Sequence, residues 1–163
     1  MKAIQTRPLF VLAHNIRSLH NVGSIFRTAD AFGVQKLFLT GITGVPPDPK
    51  ISKVALGAED FIPWAFYRSI NQVVRHLYTL YPDLVIVGLE NNLQGSSKPI
   101  ALQTFRNLSK PLLLVLGEET RGMSKAVLKQ CHVLLEIPML GQKESLNVSI
   151  ACGIALFWLR FGL

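Results

Sequence analysis

The sequence predicts an α/β domain built on a parallel sheet, and three observations carry that prediction. Leu112 to Leu116 is an unbroken apolar run bounded by Pro111 and Gly117, the pattern of a short strand buried on both faces. Val133 to Ile137 has the same layout and is stopped by Pro138. Elsewhere such runs alternate with stretches whose apolar residues recur at helical spacing. That alternation implies a parallel sheet of about five strands with helices on both faces.

Taken in order, Pro8 to Ala13 is the first strand and ends in the polar loop His14 to Asn21. Val22, Ile25, Phe26, Ala29 and Phe32 then form the apolar stripe of a helix, which Gly33 ends. Asn21 stands at its start, either as an N-cap or as a functional group. Gln35 to Thr40 is the second strand, and the Gly- and Pro-dense stretch Gly41 to Lys50 is a long surface loop. Trp64, Phe66 and Tyr67 suit core packing, with base stacking as the alternative. Ser69 to Tyr81 reads as a helix and Leu84 to Leu89 as the third strand. Glu90 to Pro99 is a polar loop, followed by a short helix or turn around Ile100 to Phe105. Ser124 to Gln130 supplies the helix between the last two strands. The final helix, Val148 to Arg160, is apolar almost all round, which implies burial on more than one side.

At 163 residues the chain is expected to form one domain, residues 1–163, long enough to bury a core. Lys and Arg number 17 against 10 acidic residues, and the formal charge of +7 favours a polyanionic partner such as nucleic acid. Hydrophobic residues make up 49% and charged ones 17%, so part of the surface is expected to meet another subunit. Met1 to Pro8 lacks the apolar core of a secretory signal, and Val148 to Leu159 is too short to span a bilayer; a cytoplasmic protein with no membrane partner is expected. Cys131 and Cys152 have no metal or redox spacing and read as reduced thiols. The four histidines share no ligand spacing either, so no metal is expected.

The chemistry concentrates where the last strands end. Glu118 and Glu119 put two carboxylates at a strand exit, which would repel a pyrophosphate. A ligand with hydroxyls and a positive charge, such as the ribose and sulfonium of S-adenosylmethionine, suits that exit better. Ser145, Leu146 and Asn147 lead into the final helix, whose polar start faces the same crevice. Near the front of the chain, Arg27 lies one turn beyond Gly23 on the same side of its helix. Gly23 leaves room for a backbone or ligand to come close, and Arg27 can reach over the gap. Asn15, Arg17 and Asn21 around the helix start suit phosphate and ribose contacts. Lys50, Lys53 and Arg68 are candidates for RNA backbone contacts, with solvated charge as the alternative.

Three ordered segments carry a resemblance: Asn15 to Arg17 with Asn21 to Ala29, then Pro111 to Ser124, then Glu136 to Ala151. They resemble the motifs of the SpoU-type (TrmH-type) RNA ribose 2′-O-methyltransferases of the SPOUT superfamily, and the likeness covers nearly the whole chain. The resemblance implies S-adenosylmethionine as methyl donor and a ribose 2′-hydroxyl of tRNA or rRNA as acceptor. It also implies a C-terminal trefoil knot and a homodimer with its site near the subunit boundary. Arg27 is then the residue that activates and orients the 2′-hydroxyl, and Asn21 its partner. Glu119 shapes the site, and Ser145 and Asn147 are the polar pair of the third motif. Leu116, Gly117, Glu118, Ile137, Met139, Ser145 and Leu146 would hold the cofactor. Many relatives carry an additional N-terminal RNA-binding domain, and none is expected here. RNA selection is then left to the dimer surface, to Gly41 to Lys53, or to a partner protein. The alternative is a catalytically inactive RNA-binding module of the same fold. A dinucleotide-binding domain is disfavoured, because no Gly-x-Gly-x-x-Gly turn follows the first strand.

Overall fold

The computed structural model describes residues 7–91, 98–106 and 109–162. Its centre is a sheet of seven strands in the order β3-β2-β1-β6-β4-β7-β5, with every adjacent pair parallel. The strands are β1 (Leu9–His14), β2 (Lys36–Thr40), β3 (Trp64–Tyr67), β4 (Val85–Leu89), β5 (Ile100–Ala101), β6 (Leu112–Leu116) and β7 (Val133–Glu136). The helices are α1 (Leu19–Ala31), α2 (Pro49–Ala55), α3 (Ala58–Phe61), α4 (Ile70–Leu80), α5 (Lys125–Leu128) and α6 (Val148–Phe161), with a 3₁₀ turn at Leu102–Thr104.

Alternation along the strands divides the core into two layers. Leu9, Val11, Leu112, Leu114 and Leu116 point to one face and pack with Val22, Ile25 and Phe26 of α1 and with Cys152, Ala155 and Leu156 of α6. Phe10, Leu12, Leu113 and Val115 point to the other, against Val73, Val74 and Leu77 of α4 and Val127 of α5. All five residues of β6 are buried, as its unbroken apolar run requires of a central strand covered on both faces.

The sheet has two strands beyond the expected five, both short and at its edges. β3 is Trp-Ala-Phe-Tyr, in which Trp64 meets Phe26 edge-on and Tyr67 packs on Phe38 and His76. Core packing therefore accounts for those two rings, while Phe66 is 44% exposed. The other is β5, two residues inside the segment expected as a helix or turn; only pairing with β7 makes it a strand.

Three boundaries also move. The loop from Gly41 ends sooner than expected, because Asp48 accepts the Lys50 N–H at 2.8 Å and starts α2 at Pro49. Lys50 and Lys53 thus lie exposed on a helix and not in a loop. The N-cap of α1 is Ser18, whose hydroxyl accepts the Asn21 N–H at 3.3 Å, so Asn21 belongs to the first turn and its side chain is released from capping. The helix between the last strands is only Lys125–Leu128. Of the polar loop Glu90 to Pro99, residues 92–97 lie outside the described residues.

Gly23 is where α1 and α2 touch. A Cβ there would stand 2.5 Å from Ile51 O, so the glycine admits the neighbouring backbone itself. At the far end of α1, Arg160 of α6 donates to Phe32 O at 2.9 Å, Gly33 O at 2.7 Å and Arg7 O at 3.0 Å. Arg7 in turn donates to Leu159 O. These bonds fix the end of α6 against α1 and the approach to β1.

Candidate active site

The C-terminal ends of β4 and β6 open into a cavity of about 590 Å³, with Gly117 to Met123 on one side and Ile137, Ser145, Leu146 and Val148 on another. Carboxylates of Glu90, Glu118 and Glu119 border it, as do Arg121 and Lys125, while Leu89, Leu116, Ile137 and Leu146 supply apolar wall. This is the place where a parallel sheet presents ligand sites.

Glu119 joins this cavity to the front of the chain. One carboxylate oxygen accepts the Asn21 side-chain amide at 3.1 Å and the Ser18 N–H at 3.3 Å, and the other accepts the Arg17 N–H at 3.2 Å. Two of these donors are backbone N–H groups at a helix start, which have no intrahelical acceptor. Burial pushes the Glu119 carboxyl up, but the bonds from Asn21, Arg17 and Ser18, with its own backbone N–H, together outweigh it and hold the group below its ordinary range. Asn147 donates from its side-chain amide to Asn21 Oδ1 at 3.1 Å, and its own oxygen accepts the Ser149 N–H at 2.9 Å as the N-cap of α6. Asn21 therefore links the β6 exit, the start of α1 and the start of α6.

Arg17 pairs with Glu118 at 3.3 Å, and with 61% of the Arg17 side chain exposed the pair is screened and weak. Asn15 is turned inward: its carbonyl accepts the Ile42 N–H at 3.1 Å and its amide lies 3.2 Å from His14 Nε2. His14 Nδ1 in turn stands 2.9 Å from Thr40 Oγ1. Burial lowers the His14 pKa, opposed by the nearby Glu118 charge.

The residues singled out in the sequence are thus distributed unevenly. Leu116, Gly117, Glu118, Glu119, Ile137, Ser145 and Leu146 line the cavity, and Asn21 and Asn147 are bonded to one another beside it. Met139 is not among the lining residues, because β7 ends at Glu136 and the chain has already left the cavity after Ile137. Arg27 is exposed on α1, apart from the lining, and has no hydrogen-bond or ion-pair partner among the described residues. Lys50 and Lys53 stand on α2, likewise away from the lining.

Several lining residues escaped the sequence reading, Glu90 and Asn91 among them. Glu90 and Asn91 follow β4 directly, and the acid-at-a-strand-exit signal that singled out Glu118 applies equally to Glu90. Glu90 Oε2 accepts the Met123 N–H at 2.8 Å. Asn91 bonds Ile137 twice, donating to its carbonyl at 2.7 Å and accepting its N–H at 3.1 Å.

Comparison with known proteins shows the family. The model of the SpoU rRNA Methylase family matches residues 8–157. The chain belongs to the SpoU methylase family. Among SpoU relatives, the 23S rRNA (guanosine-2′-O-)-methyltransferase RlmB of Nitrosomonas europaea is 35% identical over 149 residues, which is 91% of this chain and 54% of that protein. The putative TrmH family tRNA/rRNA methyltransferase YacO of Bacillus subtilis is 30% identical over 93% of this chain and 57% of its own length. The AdoMet-bound rRNA methyltransferase from Sinorhizobium meliloti superposes with a TM-score of 0.85 at 28% identity, covering 96% of this chain and 57% of that one. The chain spans a little over half the length of these SpoU relatives.

Proposed function

We propose that the chain is an S-adenosylmethionine-dependent RNA methyltransferase that acts on a ribose 2′-hydroxyl of tRNA or rRNA. The observation that carries this reading is the bond set Glu119–Asn21–Asn147, which ties the leading helix to an acid-bordered cavity at the strand exits. The cavity suits the methyl donor on its own terms. Its volume falls in the range of small-molecule sites, its carboxylates favour hydroxyls and positive charge, and its apolar wall accepts an adenine face. Leu116, Gly117, Ile137, Ser145 and Leu146 would hold it. When bound, its sulfonium supplies the methyl group.

The chain's own residues must do the rest. A 2′-hydroxyl is a poor nucleophile until its proton is accepted or its developing charge is stabilised. Arg27 is assigned to orient that hydroxyl and stabilise the oxygen; a guanidinium remains protonated, so the proton leaves to water or to an RNA phosphate. Asn21 and Glu119 hold the start of the helix that carries Arg27. Arg17, Lys50 and Lys53 are exposed cations available to the RNA backbone.

A homodimer through α6 belongs to the same reading. Ile150, Ile154, Phe157 and Phe161 recur along one side of α6 and are between 41% and 56% exposed. Ile154 and Phe157 border an apolar groove formed with Leu102, Pro138 and Trp158. A second copy seated there would lie beside α1, since Phe32 stacks edge-on with Phe157 and Phe161. The strand order supports a trefoil knot as well: the chain passes from β4 to the far edge at β5, returns to insert β6 between β1 and β4, and then places β7 between β4 and β5. A cytoplasmic setting fits the unpaired Cys131 and Cys152.

The test is incubation with a labelled methyl donor and separate tRNA and rRNA pools, followed by mapping of the modified nucleotide. Label on a ribose 2′-oxygen is expected; label on a base, or on neither RNA, would overturn the proposal.

A further inference from the structure

β4 lies between β6 and β7, so whatever follows it emerges between the two loops that wall the cavity. The two residues that follow are Glu90 and Asn91, and each holds a different wall. Glu90 keeps β4 in register for one more residue, its N–H donating to Leu135 O at 2.9 Å, while its carboxylate takes the Met123 N–H at 2.8 Å. Met123 ends the turn that begins at Glu118, which Gly122 closes by donating its N–H to Glu118 O at 2.9 Å. Gly122 has φ +65°, and a Cβ on it would collide with the Glu90 carboxylate, so only glycine leaves the carboxylate its place. On the other side, Asn91 pairs with both the donor and the acceptor of Ile137, as an adjacent strand would, where β7 has already ended.

We propose that Glu90 and Asn91 form a clamp that sets the width of the methyl-donor cavity, one side chain fixing the Glu118–Met123 turn and the other fixing Ile137. They are positioning residues, acting through the backbones they hold. This inference rests on the methyl-donor reading of the cavity. Each wall would otherwise be a loop whose freedom must be lost when a ligand binds, and two adjacent side chains just past the end of a central strand remove that freedom beforehand.

The experiment is calorimetric titration of the full chain with S-adenosylhomocysteine, alongside ligand-free melting and amide hydrogen exchange. Glu90→Ala and Asn91→Ala are each expected to weaken binding about tenfold while the ligand-free melting temperature stays within a few degrees. Exchange should quicken selectively at the Met123 amide in the first variant and at the Ile137 amide in the second. Glu90→Gln keeps an acceptor for the Met123 N–H and should bind within about threefold of the parent. Should Glu90→Ala fail to fold, Gly122→Ala displaces the carboxylate by a second route and should weaken binding likewise. Parental affinity in the folded variants overturns the clamp alone. Weakened binding with general loss of stability and no selective exchange also overturns it. A parent that binds no S-adenosylhomocysteine overturns the methyl-donor reading and the clamp with it.

Discussion

Glu119 accepts three hydrogen bonds across the joint between the β6 exit and α1, and its ionisation is therefore linked to folding. Its folded pKa lies below the ordinary 4.5, so the carboxylate contributes stability above that value and loses it as the pH falls through the folded pKa. Glu119→Gln should abolish this part of the acid-side decline in melting temperature below about pH 4.5. Because the group is largely exposed, the effect is on the order of 0.5 kcal/mol. Arg27→Ala should lower the methyl-transfer rate by about 10²–10⁴ while its unfolding free energy stays within roughly 0.5 kcal/mol of the parent, since the side chain is exposed and unpaired among the described residues. Unchanged turnover would remove Arg27 from the mechanism. The candidate site residues were legible in the sequence as acids at a strand exit and as positions in the motifs that carry the family resemblance; residue type alone would not have separated Asn21 from a helix cap. Their partners were not: Asn21 bonds residues 98 and 126 positions away, and no local pattern encodes such a pairing.

Helices α1 and α6 are defined by their apolar stripes, and what fixes them in place is a small number of backbone contacts. Gly23→Ala would drive a methyl to 2.5 Å from Ile51 O and 3.0 Å from Val54 Cβ, forcing α1 and α2 apart. Gain in helix propensity offsets part of the overpacking, and a net loss of roughly 1–3 kcal/mol in chemical denaturation is expected. Arg160→Ala would leave three carbonyls, two at the end of α1 and one on the approach to β1, without their charged donor, at a cost of about 2 kcal/mol or more in the same measurement. The close approach at Gly23 was readable from a glycine inside a helix, on the side of Arg27. The arginine clamp was not, because a basic residue in the last turn of a helix has an equally good local explanation in the helix dipole. Ser18 as N-cap, in place of Asn21, depended on where the turn after β1 ends, which Thr43 fixes from the β2 side by accepting the Ile16 N–H and Asn15 from the β1 side by accepting the Ile42 N–H.

For the whole molecule, the exposed stripe of α6 carries the assembly prediction. Phe157→Asp should convert dimers to monomers in sedimentation velocity without unfolding the chain, because that side chain is 55% exposed in the single subunit. A dimer that survives the change would place the interface elsewhere. The sequence by itself determined the α/β class, the central strands and the acid-bordered exit of β6, because buried parallel strands need unbroken apolar runs and acids at their ends are locally visible. Only the tertiary structure decided the strand order, the edge strands β3 and β5, and the enlistment of Glu90 and Asn91, for a physical reason. Those features arise from pairing between distant backbones, and a side chain's partner across a sheet is set by the path of the chain and not by its neighbours in sequence.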